Sequence, residues 1–379
     1  MKNKSSSPAH HMIHGRYLFV HQGYELYGSD RMLILSIKAL LSHQPEASVD
    51  VILPSEGALS TALQGIPGVK VQISSIGVVR RYDLKKFRLK FLWKIVTFPR
   101  LIPLMNRYDR VYINSVVVAD FILAARFTKT GCLVHIHEIP SATARRIFNP
   151  LLVFSKANLL FVSEACRNGY RIPASQRRHI IPNGCAPVEV GVSQPDGNDV
   201  LHLLMLGRIS KAKGHWLLTE ALRMLPTEIQ QNIRVKIVGD VFGNQPELLL
   251  LLNREIESSG LKHLVSLQPF SQEPGAFFGW CGAVVVPSLI PESFGLVAIE
   301  AMSAGRPVIA ANHGGLTEIV VHNETGLLFE PGNPKALAEA ITFALQHPNA
   351  MKEMGLAGRK RYEEHFTEEI YIRNFQKII

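Results

Sequence analysis

Residues 283–310 read AVVVPSLIPESFGLVAIEAMSAGRPVIA. The run Ala283–Val286 is apolar on both faces, as a strand buried inside a parallel sheet must be. Pro287–Pro291 leaves its carboxyl end. Ser293 is suited to N-cap a helix, and Phe294–Ser303 carries that helix until Gly305 closes it. Pro307 then leads the strand Val308–Ala310. Strand, helix and strand in this order make a βαβ unit, which sets the fold class as α/β with a doubly wound parallel sheet.

The same alternation extends both ways. In the first half the strand candidates are Tyr17–His21, Val49–Leu53, Val69–Ile73, Arg110–Ile113, Cys132–Ile136, Leu159–Val162 and His179–Ile181. In the second half they are His202–Leu206, Val235–Val238, Val265–Leu267, Ala283–Val286, Val308–Ala310 and Gly326–Phe329. A chain of 379 residues is too long for one ordinary core, so two Rossmann-like sheets imply two domains. The Gly-, Pro-, Asn- and Asp-rich segment 183–199 separates them. Residues 1–187 form the first domain and 188–365 the second, while 366–379 is a terminal helix that could pack back on the first.

The expected helix start after Val286 bears on chemistry. The N–H groups of Phe294, Gly295 and Leu296 lack intrahelical partners, and a phosphate is favoured there. Glu300 leans back towards the helix start, and Glu292 sits on the loop before it. Both can accept hydrogen bonds from vicinal sugar hydroxyls. The plain alternative is a favourable charge at a helix start and an ordinary helical glutamate. Cations follow the first strand of the second half, where LGRISKAKGH (206–215) supplies Arg208, Lys211 and Lys213. At a strand's carboxyl end, Arg208 offers a fork and Lys213 a point charge to adjacent phosphoryl groups.

Charge is lopsided. Residues 1–187 carry 25 Lys/Arg against 10 Asp/Glu, and the remainder carries 16 against 21. An anionic partner would therefore meet the first half. RRYDLKKFRLKFLWK (80–94) places Lys85, Lys86, Arg88 and Lys90 beside the stripe Leu84, Phe87, Phe91 and Ile95, with Trp93 as an interfacial ring. Such a basic amphipathic segment suits the surface of an anionic bilayer; a core-packed helix with a solvated face is the alternative. No apolar run reaches the roughly 20 residues of a membrane span. The N-terminus lacks a signal-peptide core, and four scattered cysteines make no disulfide framework, so a cytoplasmic setting, or the inner face of the membrane, is expected. No RNP-like run, zinc module or helix-turn-helix supports nucleic-acid binding.

Glu292 and Glu300 at their spacing, GRISKAKG, Ile181-Pro-Asn-Gly184 and Gly314-Gly315 together resemble the GT-B nucleotide-sugar glycosyltransferases of family GT4, most strongly over residues 181–331. The resemblance implies two Rossmann-like domains facing each other across a cleft. It assigns the donor diphosphate to Arg208 and Lys213, the ribose hydroxyls to Glu300, and the sugar and phosphates to Glu292 with the Phe294–Leu296 amides. Gly239, in Val238-Gly239-Asp240, falls beside the nucleobase, and Gly28 faces the donor phosphates from the first half. There the chain has Gly28-Ser29-Asp30 where many members show Gly-Gly and then Glu, which leaves the role of Asp30 open. His137 takes the place of a histidine near the donor sugar and acceptor. A zinc pair of His135 and His137 lacks an apparent third ligand.

The implied reaction is transfer of a hexosyl group from a nucleoside diphosphate sugar to a glycan or lipid-linked saccharide, with retention, no metal and no further cofactor. A cell-surface polysaccharide or lipopolysaccharide is the expected product class. A nucleotide-sugar epimerase and a phosphorylase share the fold and are the competing reactions; no pyridoxal-phosphate lysine is identifiable.

Overall fold

The structure is a computed structural model that describes residues 15–79, 96–190, 200–241, 245–271 and 273–379. The basic segment with Lys85, Lys86, Arg88, Lys90 and Trp93 lies outside the described residues, as does the 191–199 stretch between the two halves.

The chain divides into two compact units. One comprises residues 1–160, 170–179 and 372–379, and the other comprises 161–169 and 180–371. The first sheet contains β1 (Arg16–His21), β2 (Ser48–Leu53), β3 (Val69–Ile73), β4 (Arg110–Asn114), β5 (Gly131–Ile136), β6 (Asn158–Phe161) and β7 (Arg178–Ile180). Its order is β3-β2-β1-β4-β5-β6-β7. The second sheet contains β8 (Leu201–Leu206), β9 (Ile233–Val238), β10 (Val265–Gln268), β11 (Ala283–Val286), β12 (Val308–Ala311) and β13 (Gly326–Phe329), in the order β10-β9-β8-β11-β12-β13. Neighbouring strands pair in parallel, with Tyr17 opposite both Val49 and Arg110 in the first sheet. In the second, Val284 pairs with Val308 and Leu204.

Apolar character on both strand faces accounts for this arrangement. Leu18, Phe19 and Val20 of β1 and Val284 and Val285 of β11 are all buried, because helices cover each sheet on both sides. In each sheet the winding reverses beside one central strand. That reversal lies between β1 and β4 in the first sheet and between β8 and β11 in the second. A crevice opens at the carboxyl ends of two such strands, and ligands of doubly wound sheets bind there.

The helix expected from Phe294 begins only at Leu296 and ends at Ser303, with Gly295 at its N-cap; the Ser293 side chain makes no cap. A tertiary contact overrides the local preference. The Gly314-Gly315 turn presses on the loop: Gly315 N–H donates to Glu292 O at 2.7 Å, and a Cβ on Gly315 would come 2.6 Å from Phe294 Cα. Held by this turn, residues 292–294 stay outside the helix. Glu300 consequently lies in the second turn, nearer the helix start than the sequence reading placed it.

Candidate active site at the strand ends

In the second unit, the loops after β8 and β11 meet at the winding reversal. Gly214 makes this possible, with φ of 82° and a position where a Cβ would stand 1.8 Å from Pro287 O. Leu289 N–H donates to Ala212 O at 2.8 Å, stitching the two loops together. Lys213 Nζ thereby reaches Glu292 Oε1 at 2.8 Å. Ser288 Oγ donates to the same carboxylate oxygen, and His313 Nε2 donates to Ser288 O at 2.7 Å. Burial pushes the Glu292 carboxyl up, but the Lys213 ammonium and the hydrogen bonds from Lys213 and Ser288 outweigh it and hold the group below the ordinary glutamate range. Glu292 is therefore ionised near neutrality. Whereas the sequence reading aimed Lys213 only at phosphate, the structure pairs its ammonium with Glu292.

Around this pair, among the described residues, the N–H groups of Phe294, Gly295 and Leu296 meet no protein acceptor. Glu300 is 7% exposed, and Arg208 stands at the exposed edge of the β8 loop. Gly239 directly follows β9 and packs on the Gly207 carbonyl, so the β9 end adjoins the β8 loop. The arrangement offers cations, unpaired amides and carboxylates to one ligand carrying both phosphate and hydroxyls.

In the first unit, the ends of β1, β4 and β5 bear a linked set of polar side chains. Asn114 Nδ2 lies 3.0 Å from Ser29 O and 2.9 Å from His21 Nδ1, while Asn114 Oδ1 lies 2.7 Å from His137 Nε2 and 3.2 Å from Tyr112 Oη. The Ser29 carbonyl needs a donor, which fixes the Asn114 amide orientation, so that Asn114 Oδ1 accepts from His137 Nε2. His21 donates from Nε2 to Asp30 Oδ1 at 2.6 Å, and its Nδ1 also lies 3.3 Å from Asn114 O. His137 donates from Nε2 and keeps a lone pair on Nδ1. Burial, reinforced by His21, pushes the His137 imidazole down to about 3, so it stays neutral. Asp30 acquires a role: Oδ2 accepts Tyr27 N–H at 3.0 Å at the start of the Gly28–His43 helix, and Oδ1 holds His21. Gly28 is the first residue of that helix.

Burial pushes the adjacent Glu138 carboxyl up, against hydrogen bonds from Ser115 Oγ and the His137 N–H. His135 is fully buried on Tyr112 Oη, its ring centroid 4.0 Å from that of His137. Among the described residues no three His, Cys, Asp or Glu side chains gather as a metal ion would require. Sequence reading did not single out His21, Asn114, Ser288 or His313. The first two end β1 and β4, and the missing signal was that these strands are neighbours.

Residues 194–361 match the glycosyl transferases group 1 family. The chain is 35% identical over 162 residues to D-inositol 3-phosphate glycosyltransferase of Pseudarthrobacter chlorophenolicus, which is 42% of this chain and 38% of that one. With lipopolysaccharide 1,2-N-acetylglucosaminetransferase of Salmonella typhimurium it shares 32% identity over 215 residues, 52% of this chain and 55% of the relative. It thus spans less than two thirds of the length of either relative. The structure of Anabaena HepE in complex with UDP and glucose superposes at a TM-score of 0.78 and 21% identity, covering 96% of this chain and 99% of that one. Residues 194–361 thus resemble the glycosyl transferases group 1, and the fold of two parallel sheets is shared with HepE over nearly the whole chain. No described helix is long and apolar enough to cross a membrane.

Proposed function

We propose that the protein transfers a hexosyl group from a nucleoside diphosphate sugar to a saccharide acceptor, with retention and without a metal. The observation that carries this reading is the Lys213–Glu292 pair set beside the unpartnered amides of Phe294–Leu296. In this reading the bond between the anomeric carbon and the β-phosphate oxygen breaks, and its electron pair departs with the diphosphate. The acceptor hydroxyl oxygen bonds to that carbon on the same face, and its proton passes to the departing phosphate. Negative charge grows on the phosphate as the bond breaks, and prearranged cations and amides stabilise that growth. Lys213 and Arg208 supply the cations. Glu292 holds the Lys213 ammonium in place and, with Glu300, accepts hydroxyls of the donor. His137, kept neutral, offers its Nδ1 lone pair to a sugar hydroxyl.

A lipid-linked acceptor at the anionic inner face of a cytoplasmic membrane is the setting assigned to the basic 80–94 segment, and polysaccharide or lipopolysaccharide assembly is the product class. Both follow the charge of the first half and the names of the relatives. The test is incubation with radiolabelled UDP-, GDP- and ADP-sugars and a lipid-linked saccharide. Label is expected in a larger product, with Lys213→Ala lowering the rate by roughly 100-fold or more, as loss of a preorganised charge contact does. Sugar interconversion with no transfer would instead indicate an epimerase.

A further inference from the structure

The first unit contains a cavity that the donor chemistry does not use. Its volume is about 390 Å³, and Ala142, Arg145, Arg146, Asn149, Pro150 and Arg171 line it. Small-molecule sites occupy roughly 300–1,000 Å³. No carboxylate is in the lining, and among the described residues none of the three guanidinium groups has a protein acceptor. Three arginines around one concavity repel one another unless an anion sits among them.

The walls are fixed. Ser141 caps the Ala142–Ser155 helix by accepting Ala144 N–H, which places Arg145 and Arg146 in its first two turns. Asn149 Nδ2 donates to Arg171 O at 2.8 Å and Asn149 Oδ1 accepts Arg171 N–H at 2.6 Å, holding Arg171 opposite that helix. Tyr170 Oη donates to Glu138 O at 3.1 Å. Both walls are therefore anchored to the segment that begins at His137. Pro150 has no N–H to offer the Arg146 carbonyl. Ala142, Pro150 and the arginine stems add apolar surface, on which the C–H face of a sugar ring can rest.

We propose that this cavity is a subsite for a negatively charged group, phosphate or carboxylate, carried by the saccharide acceptor. The assignment to an acceptor rests on the glycosyl-transfer reading above; the anionic saccharide chemistry rests on the cavity alone. Arginine forks pair with two oxygens of a carboxylate or a phosphate at once.

Equilibrium dialysis of the full chain with radiolabelled glucose 6-phosphate, glucuronate, glucose and inorganic phosphate tests this. Glucose 6-phosphate and glucuronate are expected to bind at least about tenfold more tightly than glucose, the effect of one charge-assisted fork. Glucose 6-phosphate is also expected to outbind inorganic phosphate. The double variant R145Q/R146Q, and separately R171Q, should each lose about tenfold for glucose 6-phosphate, with unchanged melting temperature as the check on folding. Thermal shifts with UDP, GDP and ADP should be unaltered in both, since these residues lie outside the nucleotide site. Equal binding of glucose and glucose 6-phosphate, or undiminished binding by both variants, would overturn the proposal. Inorganic phosphate binding as tightly as glucose 6-phosphate would remove its saccharide part. Absence of any nucleotide shift in the wild-type protein would count against the donor reading and leave these outcomes standing.

Discussion

Asn114 engages four partners in the first unit with a single amide, and its replacement has consequences for all of them. Asn114→Leu removes the hydrogen bonds to Ser29 O, His21 Nδ1 and His137 Nε2, and a buried polar group left unpaired costs roughly 1–3 kcal/mol. A loss of at least ~2 kcal/mol in urea unfolding is expected; a loss below ~0.5 kcal/mol would contradict the network. His215 supports a second prediction. It is fully buried, and burial, aided by Lys213 and opposed by its hydrogen bond to Ser210 O, pushes the imidazole down to about 4. An unfolded histidine protonates near pH 6.5. Between those values the unfolded chain binds a proton that the folded chain refuses, so stability falls as pH drops from about 6.5 to about 4. In His215→Gln on the order of 3 kcal/mol of that acid loss should disappear. An unchanged slope of stability against pH would show that His215 titrates normally in the fold.

At the scale of elements, every strand the sequence indicated is present, with ends shifted by a residue or two, because unbroken β-branched runs are a local signal. The start of the Leu296–Ser303 helix was not legible. Ser293 has the right chemistry for a cap, but the Gly314-Gly315 turn, distant in sequence, decides the backbone there. Gly214 shows the reverse case, since its place in the GRISKAKG segment marked a loop while only the packed loops reveal why no side chain fits. Gly214→Ala would force a Cβ into the Pro287 carbonyl at a φ of 82°. It should lower stability by about 2 kcal/mol or more and weaken nucleotide binding, read by calorimetry; wild-type behaviour in both would mean that the two loops are not in contact.

Over the whole chain, the grouping of distant segments was the least legible feature, because it depends on contacts that no local pattern encodes. Residues 161–169 join the second unit, where Ser163 Oγ donates to Ser293 O and the Glu318 carboxylate accepts the N–H groups of Glu164 and Ala165 at 2.9 and 2.7 Å. The last eight residues join the first: Phe375 is fully buried with its ring 5.7 Å from Tyr112, and Gln376 donates to Ala39 O. Phe375→Ala is therefore expected to cost the first unit about 3–5 kcal/mol, as large-to-small changes in a core do. Thermal unfolding matching the wild type would place that ring outside the core. The adjacency of β1 and β4, which brings His21 to Asn114, is likewise set by strand order rather than by sequence spacing.

Hydrogen–deuterium exchange reads the backbone amides of the β11–helix loop directly. With UDP, GDP or ADP shown to be bound by calorimetry, exchange at Phe294, Gly295 and Leu296 should slow severalfold, since phosphate oxygens would occupy donors that otherwise meet no protein acceptor. Exchange at those three positions that stays unchanged while a nucleotide is bound would contradict the account.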